Sequence, residues 1–215
     1  MGKVVFFDLD GTVLDTLDDI ADCMNEAFVH FGYEKYPYNV VSKSVGLDSV
    51  TLVRSLLGKE TTEKRAKEIW DYYTEIVKVK GTNKTKVFCG IKEVVEELKN
   101  RGYKVCAFTN KTEEELIPFI EKYLLDLKFD KISAVGGTDK CKPSPKEVLL
   151  TLEEYGIMPE HAYVIGDGET DVLTAINASA TPIAVLWGNR TKEQLGGVGA
   201  KLFASTPKEL LSLIK

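Results

Sequence analysis

"VVFFDLDGTVLD" occupies positions 4 to 15. Four consecutive apolar residues run into Asp8, Asp10 and Asp15, with Gly11 between them. A run without period-2 alternation fits a strand covered on both faces. The carboxylates that follow would stand at its carboxyl end, where open α/β sheets bind ligands.

Four further runs read the same way: "VCAF" (105–108), "ISAV" (132–135), "YVIG" (163–166) and "IAVLW" (183–187). Helical patterns lie between most of them. "IKEVVEELKNRG" (91–102) sets Ile91, Val94, Val95 and Leu98 on one face and stops at Gly102. "SPKEVLLTLEEYG" (144–156) opens with Ser and Pro and ends at Gly156. Strands alternating with helices predict an α/β, doubly wound parallel sheet.

The alternation breaks between about 16 and 81, which contains no convincing strand. Leu17, Ile20, Ala21, Met24, Ala27, Phe28 and Phe31 recur at helical spacing, and "SVTLVRSLLG" (49–58) and "TEKRAKEIWDYYTEIVKVKG" (62–81) continue it. The pattern predicts a small helical cap inserted after the first strand. Residues 1–15 and 82–215 would form the core domain and 16–81 the cap. Gly81 and "TNKT" (82–85) suit a hinge, so the cap is expected to move as a lid.

The chain has 215 residues, 44% of them hydrophobic, with 28 basic and 33 acidic residues and a net charge of −5. That supports a packed core and carries no general nucleic-acid footprint. An anionic substrate would need a local lysine cluster or a metal to draw it in. Cys23, Cys89, Cys106 and Cys141 are far apart and lack zinc-ligand spacing. The N-terminal run is too short for a signal-peptide core, and no apolar stretch approaches a membrane span. The expectation is a cytoplasmic monomer or homodimer that meets neither nucleic acid nor membrane.

Collected at one sheet edge, the strand ends bring Asp8 and Asp10, then Thr109, Asn110 and Lys111, then Lys142, and finally Asp167 and Asp171. Taken singly, each has an ordinary reading: "DLDGT" as a turn, Thr109–Asn110 as a helix cap, Lys142 as a solvated side chain, "GDGETD" as an N-cap with acidic first-turn residues. Taken together, the carboxylates would repel unless a cation sat among them. Oxygen ligands without His or thiolate suit Mg²⁺. One carboxylate could then attack while the other serves as acid and base. Thr109 and Lys142 could hold phosphate oxygens, and Asn110 is a further phosphate-binding candidate.

These motifs resemble the haloacid-dehalogenase-like phosphatases over nearly the whole chain. The resemblance of "DLDGTVLD" implies Asp8 as nucleophile and Asp10 as acid/base, with the Asp10 backbone carbonyl also a Mg²⁺ ligand. "FTNK" implies phosphate binding by Thr109. "KPSP" implies that Lys142 bridges nucleophile and phosphate. "GDGETD" implies Asp167 as a Mg²⁺ ligand and Asp171 as a ligand or a carboxylate just behind the ligands. "TNK", "KPSP" and "LWG" together look most like the phosphoglycolate phosphatase branch, although Gly168 stands where close relatives more often carry Ser. The implied activity is Mg²⁺-dependent hydrolysis of a small phosphorylated metabolite through an aspartyl-phosphate.

Lys43 and Arg54 are candidates for binding the rest of the substrate, each also readable as a surface residue. Asp15 could cap the helix that follows it or take part in catalysis. A β-phosphoglucomutase-like mutase would use the same Asp8. A carbon–halogen hydrolase would need neither Asp10 nor the Asp167–Asp171 pair, and a non-catalytic binding protein would need no intact nucleophile and acid together.

Overall fold

The computed structural model describes residues 2–47 and 49–215. Asp48, within the stretch between Lys43 and Arg54, lies outside them. Along the chain come β1 (Lys3–Phe7), β2 (Leu14–Asp15), α1 (Leu17–His30), α2 (Tyr38–Val41), α3 (Ser49–Leu57), α4 (Glu63–Lys80) and β3 (Lys86–Val87). Then follow α5 (Ile91–Asn100), β4 (Tyr103–Thr109), α6 (Glu113–Phe119), β5 (Lys131–Ala134) and α7 (Lys146–Tyr155). The last third holds β6 (Ala162–Gly166), α8 (Glu169–Asn177), β7 (Thr181–Val185), α9 (Lys192–Gly197), β8 (Leu202–Ala204) and α10 (Pro207–Leu213).

Six strands form one parallel sheet in the order β5-β4-β1-β6-β7-β8. The apolar run that opens the sequence is therefore central. Its side chains divide by parity: Val5 and Phe7 join the core on one face, and Val4 and Phe6 join the core on the other. Helices α5 and α10 supply Val94, Leu98 and Leu210 to the first layer, while α7 and α8 supply Val148, Leu152 and Ala175 to the second. The four apolar β1 side chains, Val4 to Phe7, are buried, each contributing about 1.5–3 kcal/mol. Burial on both faces is the reason the run shows no alternation.

The five sequence runs correspond to β1, β4, β5, β6 and β7. The sheet also contains β8, whose three residues carry too little pattern to read. Helices α1 to α4 fall between β2 and β3, as the break in alternation predicts. Met24 and Phe28 of α1, Leu52 and Val53 of α3, and Ile69, Tyr73 and Val77 of α4 pack into one apolar cluster.

The two connections into this helical segment pair as a short antiparallel ribbon, β2 with β3. Asp15 sits in that ribbon, exposed and opposite Lys86. The return segment is tied down: Asp19 accepts from the backbone N–H of Lys84 and Thr85, and the Tyr123 hydroxyl donates to the carbonyls of Thr82 and Thr85. Gly81 has an ordinary φ of −67°. It is required for space, since a Cβ there would press on the Val77 backbone at 2.9 Å.

Candidate active site

Strand order places the ends of β4, β1 and β6 side by side, and the sequence motifs emerge from those ends. Asp8 follows β1 directly; its N–H continues the ladder by donating to the Ile165 carbonyl at 2.9 Å. Thr109 ends β4, and Asp167 follows β6. Asp171 comes from the first turn of α8, and Lys142 from the segment between β5 and α7. The chain turns away after β1 at Gly11, whose φ is +79°. That left-handed conformation favours glycine, and a Cβ there would collide with the Asp167 carboxylate.

Lys142 is the hub. Its ammonium lies 2.6 Å from Asp8 Oδ1 and 2.6 Å from Asp171 Oδ1, with its side chain 1% exposed. The other Asp171 oxygen accepts from the Gly168 N–H at 3.0 Å. Asp167 accepts from the Asn189 backbone N–H at 2.6 Å and from the Asn189 side chain at 3.1 Å. Oxygens of Asp8, Asp167 and Asp171 all lie within 4.8 Å of one another, and all three residues are buried.

Three buried carboxylates thus share one ammonium. Burial pushes the Asp8 carboxyl well above its ordinary range, Asp171 adds to the push, and Lys142 opposes it. Burial, again with Asp171, pushes Asp167 up to about 6, against the Asn189 N–H. Burial works against the charged form of Lys142, yet Asp171 and Asp8 outweigh it and hold the lysine more firmly protonated than usual. The cluster carries more negative charge than its own lysine balances. A divalent cation would relieve that excess, and an all-oxygen donor set suits a hard one. Asp8, Asp167 and Asp171 are the residues that fit such an ion.

Asp10 faces the other way. It accepts from the Thr16 hydroxyl at 2.7 Å and from the Lys111 ammonium at 3.0 Å. Lys111 is buried and also lies 4.8 Å from the centre of the Phe119 ring. The buried Thr109 hydroxyl accepts from the Lys111 N–H at 3.2 Å.

Asn110 makes structural contacts here. Its Oδ1 accepts from the Lys142 N–H at 2.8 Å, and its Nδ2 donates to the Gly46 carbonyl at 2.9 Å. It therefore links the lysine segment to the helical segment's loop.

A cavity of about 30 Å³ lies over these strand ends. Its core side is formed by Asp8, Asp10, Thr109, Asn110, Lys111 and Lys142, with Glu115 beside them. Its roof comes from the helical segment: Ile20, Val45, Gly46, Leu47, Leu52, Trp70 and Tyr73. Among the described lining residues, neither Lys43 nor Arg54 appears. Lys43 is exposed, and Arg54 donates to the Lys59 carbonyl at 2.9 Å beside a separate surface hollow.

Sequence reasoning does not single out Arg190, Asn189, Trp70, Tyr73 or Glu115. Lys111, which the sequence places at the same sheet edge, lines the cavity against Asp10. Nothing local marks Arg190, because its importance lies in contacts with residues far off in the chain.

The family profile of haloacid dehalogenase-like hydrolases matches residues 5–185. A phosphoglycolate phosphatase from Aquifex aeolicus is 32% identical over 186 residues, covering 86% of this chain and 85% of that protein. One from Psychrobacter arcticus is 32% identical over 201 residues, covering 86% and 84%. A crystal structure described as a "predicted phosphatase" from Clostridium acetobutylicum superposes with a TM-score of 0.87 at 29% identity, covering 100% of this chain and 98% of that one. The chain belongs to the haloacid dehalogenase-like hydrolase family. Within it, the chain falls in the phosphoglycolate phosphatase-like branch.

Proposed function

We propose that this hydrolase is a Mg²⁺-dependent phosphatase that cleaves a small phosphate monoester through a phosphoryl group held on Asp8. It is a phosphoric monoester hydrolase by family and branch. The observation that carries it is the Lys142 ammonium, 2.6 Å from Asp8 and 2.6 Å from Asp171 in a buried pocket shared with Thr109.

Asp8 attacks phosphorus from the end of β1, a rigid central strand that fixes its aim. Lys142 opposes the burial that raises the Asp8 pKa and meets the charge on the transferring group. The Thr109 hydroxyl holds a phosphoryl oxygen; Asn110 holds the Lys142 segment in place and would meet a second oxygen once its Nδ2 leaves the Gly46 carbonyl. Asp10 gives its proton to the leaving oxygen and takes one from the water that frees the phosphate. Asp8, the Asp10 carbonyl, Asp167 and Asp171 would hold the Mg²⁺. When bound, the ion supplies positive charge against the phosphoryl oxygens.

Residues 16–81 act as the cap, a roof that excludes bulk water and contacts the leaving group. Its lining is mostly apolar, which supports hydrolysis of a compact ester over a mutase's repeated handling of a sugar. Among candidate substrates is 2-phosphoglycolate, since the Aquifex and Psychrobacter relatives are named phosphoglycolate phosphatases. Lys43 and Arg54 would contact substrate only after the cap rearranges.

The test is phosphate release from a panel of small monoesters in Mg²⁺, after chelation, and after Mg²⁺ is restored. The reading expects turnover to stop on chelation and to return with Mg²⁺. Full turnover in excess chelator would contradict it.

A further inference from the structure

The cavity over Asp8 holds about 30 Å³, room for about two waters. That is too little room for a phosphate ester, so part of the lining must move for one to bind. One part of the roof that abuts the core is the loop after α2, where Val45, Gly46 and Leu47 line the cavity; α4 meets the core elsewhere, through α6.

That loop is gripped from the core on two sides. On one side is Asn110, through the Gly46 carbonyl at 2.9 Å. On the other is Arg190, five residues beyond the end of β7. Its Nη1 donates to the Ser42 carbonyl at 2.8 Å, and its Nη2 donates to the carbonyls of Lys43 at 2.9 Å and Val45 at 3.1 Å. Its Nε donates to Glu169 at 2.8 Å. The Arg190 side chain is 7% exposed.

Three donor contacts go to carbonyls of one loop, and Glu169 fixes the guanidinium plane from α8. Arg190 follows Asn189, which holds Asp167, and Glu169 lies two residues after Asp167. The same short stretches of core therefore set the acidic cluster and grip the roof. Carbonyls are fixed features of the loop's backbone, so the grip depends on loop position and not on its side chains. A guanidinium suits the task because its donors are spread in a planar fork, whereas an ammonium is a single point.

We infer that Arg190 is the positioning residue that closes the cap loop 42–47 over the active site, with Glu169 aiming it and Asn110 closing the opposite side. Each turnover breaks these bonds to admit substrate and remakes them to exclude water. The kinetic part of the inference rests on the phosphatase reading; the structural part does not.

The experiment compares the parent with Arg190→Ala, and reads backbone hydrogen exchange of the resting protein by mass spectrometry. Exchange across 42–47 should rise by at least roughly tenfold, because hydrogen bonds from a charged donor are lost, while β1 and β4 peptides stay at the parent level. KM for an alkyl phosphate should rise, also by roughly tenfold, with a smaller change for p-nitrophenyl phosphate, an activated ester that needs less help from the roof. Arg190→Lys should fall between parent and Ala.

Unchanged exchange at 42–47 overturns the inference. So does a rise spread evenly through the sheet, which would make Arg190 a general stability residue. Should Arg190→Ala fail to fold, Arg190→Gln gives the same reading, since it keeps fewer donors on a shorter stem. If neither ester is hydrolysed by the parent, the phosphatase reading fails, and the exchange result still decides the grip.

Discussion

Lys142→Met isolates the electrostatics of the site. Methionine nearly fills the space and keeps contact with the Phe108 ring, which lies 4.8 Å from the ammonium. What goes is the positive charge 2.6 Å from Asp8 and 2.6 Å from Asp171. Asp8, Asp167 and Asp171 are then left buried together without their ammonium. Removing one partner of a buried, hydrogen-bonded ion pair costs about 3–5 kcal/mol, because the other partner stays desolvated and uncompensated. In a domain of this size about 2–4 °C of Tm accompanies each kcal/mol. The melting point in chelator should therefore fall by roughly 6–20 °C. Part of the deficit should vanish as acid protonates the orphaned carboxylates, because a raised carboxylate pKa destabilises only while the unfolded chain would be ionised. Adding Mg²⁺ should recover more stability in the variant than in the parent. Scanning calorimetry at several pH values reads all three effects. A melting point within about 2 °C of the parent, or a deficit that grows on acidification, would refute the idea that the lysine balances the cluster.

Further outcomes follow from other parts of the molecule. Glu147 is buried, which works to raise its pKa, but the Ser133 hydroxyl at 2.7 Å and the Lys140 ammonium at 3.0 Å outweigh burial and leave it below the ordinary value. Its stabilisation is present above the unfolded value of about 4.3 and is lost as pH falls through the lower folded value. The gap between parent and Glu147→Gln in urea titrations should close on acidification, and a gap independent of pH would contradict this. Asp10→Asn should slow an alkyl phosphate far more than p-nitrophenyl phosphate, by at least roughly tenfold in the ratio of rates; equal losses would make Asp10 structural. In the cavity lining, Lys111 already stands against Asp10, and Glu115 is a second carboxylate nearby. Competition against p-nitrophenyl phosphate should therefore favour 2-hydroxyethyl phosphate over 2-phosphoglycolate, and a preference for the carboxylate would show that the roof rearranges to supply a cation.

Much of this site can be read in the sequence because its residues follow strands of one kind. Asp8, Thr109 and Asp167 each end a continuous apolar run, and parallel strands gather such ends at one edge. The helical insert is legible for a related reason: a period near 3.6 replaces short apolar runs. What escapes is whatever depends on distant or very short pieces. The β2–β3 ribbon has two residues in each strand, below any periodic signal. Arg190 reads as an ordinary arginine in a polar loop, since its partners are carbonyls about 145 residues away. Asn110 beside Thr109 reads as a phosphate ligand, whereas the fold shows it joining Gly46 and Lys142. Lys43 and Arg54 look alike in sequence, yet helix phase and loop direction turn both away from the cavity.

The central claim is that Asp8 carries the phosphoryl group, and rapid acid quenching during turnover in Mg²⁺ tests it directly. Peptide mass spectrometry of the quenched protein should find one phosphoryl group on the peptide containing Asp8. Asp8→Asn should show no such label and no turnover, with an unchanged circular dichroism spectrum. A label mapped to another residue, or an Asp8→Asn protein free of deamidation that still releases phosphate at the parent's rate, would contradict the account.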